Sequence, residues 1–331
     1  MEKEKKSKKI LVIGTGGTIA GKGDNFKTSD YTAAQIKIED LVNEVCENTI
    51  HDNMDTIDYF NIDSCDMTSE KLIKLSNYIN KVSESEDYYG FVITHGTDTL
   101  EETAYFLNLT IKTQKPVVIT GAMRPHTALG ADGPMNLYQA ISLAKSEEAI
   151  NKGVLVVFSD TIYSARDVSK INTFKPAAFG QKDLGCLGYM RDENVFFYNS
   201  PTKKHTIYSE FDISYLENLP KVEIVMFYPS ADIKILDYVS KDCDGIVLAG
   251  AGCGNVSTSW SEKVKKIISS GIPVVRSSRI ANGVVTYNEK TIHEKGIFAE
   301  NLSPLKSRIL LSLALTKSTN LEEIQKFFLE Y

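Results

Sequence analysis

The sequence predicts an α/β fold made of two domains: an N-terminal, flavodoxin-like parallel sheet with helices on both faces, and a smaller C-terminal α/β domain. Short apolar runs alternate with polar loops and helical patterns along most of the chain. Polar residues follow directly on several of these runs, as they do where parallel strands end at one edge of a sheet. A chain of 331 residues is long enough to build two such domains.

The first strand is predicted at residues 10–13, where four apolar residues precede a glycine-rich turn. Apolar runs predict four more strands, at 60–62, 90–94, 116–120 and 154–158. Helices are expected between them, at 36–45, 70–82, 100–109 and 134–145. Thr68 is placed to open the second of these helices, and Thr99 with Glu102 fits a capping box at the start of the third.

The alternation breaks between residues 191 and 220, a polar stretch that reads as a linker or hairpin region. It resumes with strands expected at 222–228, 245–249 and 272–276, and with closing helices at 302–315 and 321–328. The predicted domain limits are a tail at 1–8, an N-terminal α/β domain at 9–198, a linker at 199–220 and a second α/β domain at 221–331.

Composition excludes several classes of protein. A formal charge of −6 and a pI near 5.5 argue against a nucleic-acid partner. No apolar window is long enough to span a membrane. The five cysteines are scattered and form no metal-ligand spacing with the histidines. Reduced thiols in a cytoplasmic protein are therefore expected, with a periplasmic or secreted protein that has lost its signal peptide as the alternative.

The glycine-rich turn follows the first strand and carries two threonines. Gly16 and Gly17 allow another group to approach the main chain, next to Thr15 and Thr18. A dinucleotide-binding site is excluded by spacing, because the third glycine of that motif would fall on Ile19. A tight structural turn is the alternative to a ligand site.

A second threonine follows the strand at 90–94, so Thr18 and Thr97 are expected around one pocket. A threonine hydroxyl needs a proton acceptor to become a nucleophile. Lys170 and Asp98 supply suitable groups in loops at the same predicted edge. Spacing alone would make Lys170 a surface lysine and Tyr31 a loop aromatic.

The sequence resembles the bacterial-type L-asparaginases, and it is most similar to their type II branch. The resemblance runs in order from about residue 8 to 331. The motifs that carry it are GTGGTIAG at 14–21, ITHGTDT at 93–99, EETAY at 101–105, GAMRP at 121–125, ADGP at 131–134, VVRSSR at 274–279 and LSLALT at 311–316.

This resemblance implies hydrolysis of L-asparagine to L-aspartate and ammonia, with no metal and no cofactor. It implies that Thr18 attacks the side-chain amide and that Tyr31, on a polar lid after the first strand, assists it. An aspartyl ester on Thr18 would be the intermediate. Backbone N–H groups near Thr97 and Ala122 would hold the oxyanion.

The resemblance also implies a second set, Thr97, Lys170 and Asp98, that handles proton transfer and water. The division of labour between the two threonines stays open.

For the substrate, Asp98 suits the α-amine, and Ser64 with backbone N–H groups suits the α-carboxylate. The resemblance further implies sites shared between subunits of a homotetramer built from close dimers. Asn255 matches one residue that a neighbouring subunit would supply. Glu289, or Lys290 one position on, would match the second.

Cys65 departs from the family pattern, because type II relatives usually carry glutamine there. A thiol is a weaker hydrogen-bonding partner, so Cys65 predicts a preference for asparagine with weak activity on glutamine. Its alternative reading is a small buried apolar residue.

Three other functions compete with this one. The first is a dual glutaminase-asparaginase. The second is a subunit that supplies ammonia for amidation of a tRNA-bound glutamate, which would carry an additional N-terminal domain. The third is a non-catalytic amino-acid-binding homologue, which would have lost Thr18, Thr97, Asp98 or Lys170, and all four are present.

Overall fold

The structure, a computed structural model, describes residues 9–23, 27–28, 31–47, 53–181, 183–286 and 296–331, with the backbone alone at 46 and 47. The described chain forms two compact units that divide between Glu210 and Phe211. The segment at 199–220, predicted as a linker, spans this division. The predicted tail at 1–8 lies outside the described residues.

The first unit is built on an eight-stranded sheet with two small strand pairs beside it. Its strands are β1 (Lys9–Gly16), β2 (Lys22–Gly23), β3 (Tyr31–Thr32), β4 (Met54–Ile62), β5 (Tyr88–Thr94), β6 (Val117–Thr120), β7 (Val154–Phe158), β8 (Thr161–Ser164), β9 (Val168–Lys170), β10 (Phe179–Gln181), β11 (Gly188–Arg191) and β12 (Asn194–Phe197). The large sheet has the order β12-β11-β8-β7-β6-β5-β1-β4.

Five strands of this sheet are parallel, in the order β4-β1-β5-β6-β7. Numbered along the chain, that order is 2-1-3-4-5, which is the flavodoxin-like arrangement. The remaining three strands continue the sheet in antiparallel pairs. The predicted α/β fold with a parallel sheet is therefore confirmed.

The four helices described in the first unit are α1 (Ile38–Glu47), α2 (Ser69–Ser83), α3 (Leu100–Thr110) and α4 (Gly133–Lys145). α1 and α4 contact each other and share one apolar core with Val12, Val92 and Val118 of the sheet. α2 and α3 contact each other, and α3 packs against β6 and β7. Alternate side chains of a strand point to opposite faces, so both faces of this sheet are apolar.

Two local predictions differ from the structure. The strand expected at 60–62 is the nine-residue β4, whose side chains are mostly half-exposed. β4 is an edge strand, and its polar residues interrupt the apolar run that marks a buried strand. At the start of α3, Thr99 does not cap the helix with its side chain. Its hydroxyl donates instead to the carbonyl oxygen of Ser64, at 2.8 Å.

The second unit is a smaller α/β layer built on a four-stranded parallel sheet. Its strands, in spatial order, are β13 (Val222–Met226), β14 (Gly245–Gly250), β15 (Val274–Ser278) and β16 (Ile297–Phe298). Its described helices are α5 (Lys234–Val239), α6 (Thr258–Ser269), α7 (Pro304–Leu315) and α8 (Leu321–Glu330). Trp260 of α6 is buried in the core and meets Phe227 edge to face, with ring centroids 5.2 Å apart.

None of the helices in the described part of the chain is long and apolar enough to cross a membrane. The cysteines whose side chains are described are unpaired: Cys65, Cys186, Cys243 and Cys253.

Candidate active site

Three loops of the first unit meet at one point beyond the carboxyl ends of β1, β4 and β5. Gly17 has a φ of 82°, and a Cβ there would lie 2.4 Å from the Cα of Gly96. A Cβ on Gly96 would in turn lie 2.7 Å from the Oγ of Ser64. Contacts this short exclude a side chain at either glycine. The turn after β1 therefore needs glycine to approach the loop after β5.

A polar cavity opens at this meeting point and encloses about 540 Å³, part of it open to solvent. It collects six residues that the sequence singled out: Thr18, Tyr31, Ser64, Thr97, Asp98 and Lys170. Gly17, Asp63, Gly96, Met123 and Thr173 complete the lining. All of these residues belong to the first unit.

Thr18 lies in a short 3₁₀ turn immediately after Gly17 and is largely buried. Its Oγ1 is 2.8 Å from the hydroxyl oxygen of Tyr31, and either group can donate in this hydrogen bond. Tyr31 is 37% exposed, and its ring packs against Gly21. A Cβ atom added to Gly21 would lie only 2.9 Å from Cδ2 of the Tyr31 ring. The pair gives Thr18 a partner that can both accept and release a proton.

Lys170 ends β9, which pairs with β10 in a small antiparallel sheet. Its backbone N–H donates to Oε1 of the buried Glu101 at 3.2 Å. Its Nζ donates to Thr97 Oγ1 at 2.9 Å and to Asp98 Oδ1 at 2.5 Å. Because the ammonium donates to Thr97, the hydroxyl proton of Thr97 is left to point elsewhere.

The second carboxylate oxygen of Asp98 faces Cys65. The thiol donates to Asp98 Oδ2 at 3.8 Å, while the backbone N–H of Cys65 donates to Asp63 Oδ1 at 2.9 Å. Desolvation raises the pKa of the Cys65 thiol, and the hydrogen bonds and negative charges of Asp63 and Asp98 raise it further. Cys65 is therefore a protonated thiol at neutral pH, which makes it a weak nucleophile.

Among the described residues, one group of side chains brings potential metal-ligand atoms close together. It consists of Asp63, Cys65 and Asp98, whose ligand atoms lie within 4.8 Å of one another. All three are exposed. The Lys170 ammonium already neutralises Asp98 and would repel a cation bound there. The donor set therefore fits a metal ion poorly.

A third loop, after β6, borders the cavity through Met123. Asp132, just before α4, fixes this loop, because its two carboxylate oxygens accept the backbone N–H groups of Met123 and Arg124, both at 2.9 Å. The Nδ2 of Asn136 donates to the carbonyl of Gly121 at 2.9 Å.

Ala122 is fully buried in the core and is not among the residues that line the cavity. Among the described residues, no acceptor binds the backbone N–H of Ala122 or of Thr97. Of these two residues, Thr97 lines the cavity, so its N–H group is available to an oxygen atom of a bound molecule.

Several other polar residues lie away from the cavity lining or outside the described residues. Asn255 belongs to the second unit, in a tight turn where its backbone pairs with Ala251 and its side chain is exposed. Glu289 and Lys290 lie outside the described residues. Ser159 and Asp160, polar residues after β7, form the two-residue hairpin turn to β8, with φ of 46° and 63°. They are not among the residues that line the cavity.

His95, at the end of β5, supports the loop that carries Thr97, and sequence reasoning did not assign it this role. Its Nδ1 lies 2.8 Å from the carbonyl oxygen of Gly96, so Nδ1 carries the proton and Nε2 accepts from Thr103 Oγ1 at 3.0 Å. Complete burial lowers the pKa of His95 to about 4, although the bond to Gly96 opposes the shift. His95 is thus a neutral imidazole that fixes the Gly96 peptide.

A polar cavity at the carboxyl edge of a parallel sheet, with paired hydroxyls, an ammonium and a carboxylate, defines the site of an α/β enzyme that acts on a small polar molecule. The sequence narrows this class. Residues 9–203 match the family described as Asparaginase, N-terminal, and residues 221–328 match the Glutaminase/Asparaginase C-terminal domain. The chain belongs to the asparaginase family.

Known proteins agree with this assignment over nearly the whole chain. L-asparaginase 2 of Bacillus subtilis is 43% identical over 325 residues, which cover 97% of this chain and 86% of that protein. A glutaminase-asparaginase of Pseudomonas fluorescens is 40% identical over 336 residues, covering 100% and 92%. The crystal structure of a probable cytoplasmic L-asparaginase from Campylobacter jejuni is 44% identical, with a TM-score of 0.94 and coverage of 98% and 100%.

The buried His95 predicts acid destabilisation of the first unit. Unfolded histidine binds a proton near pH 6.5, whereas folded His95 does so only near pH 4. The unfolded state therefore binds the extra proton between these values, so the free energy of unfolding falls as pH drops from 6.5 to 4. The expected loss is about 3 kcal/mol. Urea denaturation followed by far-UV circular dichroism measures it.

The matched variant is His95→Gln, in which an amide replaces the imidazole. We expect a smaller dependence of the unfolding free energy on pH over this interval, because the titrating group is gone. Equal slopes for the two proteins would contradict the assignment of the acid dependence to His95.

Proposed function

We propose that this protein hydrolyses the side-chain amide of L-asparagine to give L-aspartate and ammonia, with Thr18 as the nucleophile. The observation that carries the proposal is the 2.8 Å contact of Thr18 Oγ1 with the Tyr31 hydroxyl in the cavity that also holds Thr97, Asp98 and Lys170. Family membership and the names of the relatives support asparagine as the substrate.

In the first step, Thr18 Oγ1 attacks the amide carbon. Tyr31 accepts the hydroxyl proton and gives its own proton to the departing nitrogen, so that ammonia leaves and an aspartyl ester remains on Thr18. In this proposal the backbone N–H groups of Thr97 and Ala122 hold the negative oxygen of the tetrahedral intermediate. Preorganised donors of this kind contribute about 3–4 kcal/mol each to the transition state.

In the second step, a water molecule attacks the ester. Thr97 orients this water by donating its hydroxyl proton in a hydrogen bond to the water oxygen, and Lys170 and Asp98 hold Thr97 in place. The water oxygen bonds to the acyl carbon, the bond from that carbon to Thr18 Oγ1 breaks, and a proton of the water passes to Oγ1, which restores the Thr18 hydroxyl and releases aspartate. The reverse division of labour, with Thr97 as the attacking residue, has Lys170 rather than Tyr31 as the partner of the nucleophile.

The two charged ends of the amino acid have complementary partners in the cavity. The side chain of Asp98 is more than half exposed, so its Oδ2 can accept the α-ammonium while Oδ1 stays with Lys170. Ser64 follows β4, lines the cavity and can donate its hydroxyl to the α-carboxylate. This arrangement selects free amino acids over amides that lack the two groups.

The substitution Thr18→Ala tests the nucleophile. We expect loss of turnover by at least about 10³-fold, because no other group replaces the attacking oxygen. Ammonia release from asparagine measures the activity, and circular dichroism checks the fold. Thr18→Ser keeps a hydroxyl and should retain measurable turnover. Substantial activity in Thr18→Ala would refute the nucleophile, whereas a wild-type protein that binds asparagine without releasing ammonia would be the non-catalytic homologue.

Cys65 predicts the preference between the two amides. The thiol can offer the substrate only a weak hydrogen bond, and it already faces Asp98. We expect kcat/KM for asparagine to exceed that for glutamine by about tenfold or more, and Cys65→Gln to narrow the ratio. Cys65→Ser is the control, because it replaces the thiol by a hydroxyl without enlarging the side chain. Near-equal values in the wild type would instead identify a dual glutaminase-asparaginase, as the relative from Pseudomonas fluorescens is named.

The active sites are further proposed to be shared within a homotetramer of close dimers. Asn255 supports this, because its side chain is exposed on a tight glycine turn that holds its backbone in place. Light scattering should give a mass near four times 36.8 kDa. Asn255→Ala should raise KM with little change in mass. A monomer with full activity would contradict the shared site.

The cytoplasm is the proposed compartment. The free thiols described above fit a reducing environment. The related protein of Campylobacter jejuni is named as probably cytoplasmic. Recovery of the native protein in a periplasmic or secreted fraction would overturn this proposal.

A further inference from the structure

We propose that Thr127 is a positioning residue for Tyr31, which it serves by holding the short strand pair β2–β3. This inference rests on the proposed role of Tyr31 beside Thr18. It concerns a residue outside the cavity, because Thr127 does not line the space in which the substrate would bind.

The side chain of Thr127 makes two hydrogen bonds to one residue of β2. Its Oγ1 accepts the backbone N–H of Gly23 at 3.1 Å and donates its own proton to the carbonyl oxygen of Gly23, also at 3.1 Å. Gly23 is the direct partner of Tyr31 across the β2–β3 pair. The neighbouring backbone N–H of His126 donates to Gly21, also at 3.1 Å.

The strand pair needs this support because it is very short. β2 and β3 have two residues each, and they pair with one another rather than with the large sheet. An isolated two-stranded hairpin is marginal in water. Residues 126 and 127 therefore give backbone groups of Gly21 and Gly23 the hydrogen-bond partners that a neighbouring strand would provide in a larger sheet.

The segment that carries Thr127 is itself well anchored. Asp132 accepts the backbone N–H groups of Met123 and Arg124, and Arg124 Nη1 donates to the carbonyl of Gly130 at 2.8 Å. The imidazole of His126 contacts Glu44 of α1, with Nε2 3.2 Å from Oε2. Thr127 thus connects a fixed loop to the strands that present Tyr31.

Valine has nearly the shape of threonine but can neither donate nor accept, so Thr127→Val removes both bonds to Gly23. We expect kcat for asparagine to fall about 10- to 100-fold, because small displacements of a catalytic group are costly. Thr127→Ser keeps the hydroxyl and should stay close to wild type. Leu129→Ala, on the same segment at a side chain that is 72% exposed, is the matched control and should be unchanged.

A double-mutant cycle with Tyr31→Phe asks whether Thr127 acts through Tyr31. If it does, Thr127→Val should cost little further activity once the Tyr31 hydroxyl is absent. Losses that multiply in the double variant would show that Thr127 acts by another route and would overturn the proposal.

Trypsin cleavage gives a readout that does not depend on the reaction. Lys22 and Lys27 are exposed and lie in or beside the β2–β3 pair. Cleavage at these lysines should be faster in Thr127→Val than in the wild type, Thr127→Ser or Leu129→Ala. Unchanged cleavage, or faster cleavage with unchanged kcat, would overturn the proposal. A wild-type protein that releases no ammonia would refute the proposed function alone, since cleavage would still report whether Thr127 holds the strands.

Discussion

The arrangement of the site depends on the close approach of two main chains, at Gly17 and Gly96. β1 and β5 are neighbouring parallel strands, so the loops that follow them leave the sheet side by side. Glycine at both positions lets these loops stay in contact as they turn. Each glycine is followed by a threonine, and Thr18 and Thr97 therefore reach the same cavity from adjacent strands. A side chain at either glycine would separate the two hydroxyls.

Charge in the cavity is distributed in a way that suits a zwitterion. Asp63 and Asp98 supply negative charge, and Lys170 balances Asp98 through a short contact at one of its two oxygens. The remaining carboxylate surface can attract an ammonium group, but it would repel a carboxylate. In the proposed binding mode, the α-carboxylate of an amino acid is therefore held by neutral donors, namely hydroxyl and backbone N–H groups.

Much of this organisation was predictable from the sequence, because the relevant signals are local. Continuous apolar runs identified the buried strands, and polar residues at their ends indicated the edge where Thr18, Thr97 and Asp98 lie. The edge strand β4 was underestimated because its half-exposed polar residues give no such run. The hydroxyl of Thr99 could not be assigned from a capping motif, because its acceptor Ser64 lies 35 positions away.

The supporting residues of the site were not predictable for the same reason. Glu101 binds the backbone of Lys170, 69 positions away, and Thr127 binds Gly23, 104 positions away. Bonds between a side chain and a distant backbone group leave no periodic trace in a sequence. The i,i+4 pair Asp132 and Asn136, which holds the loop after β6, was the exception that spacing could have suggested.

The position of Trp260 has a consequence for how the protein can be observed. It is the single tryptophan of the chain, and it is buried in the core of the second unit beside Phe227. Intrinsic tryptophan emission therefore reports on the second unit, while the cavity residues belong to the first. A fluorophore with an emission distinct from that of tryptophan could replace an aromatic residue of the first unit, such as the half-exposed Phe196 of β12. Each unit would then have its own optical signal.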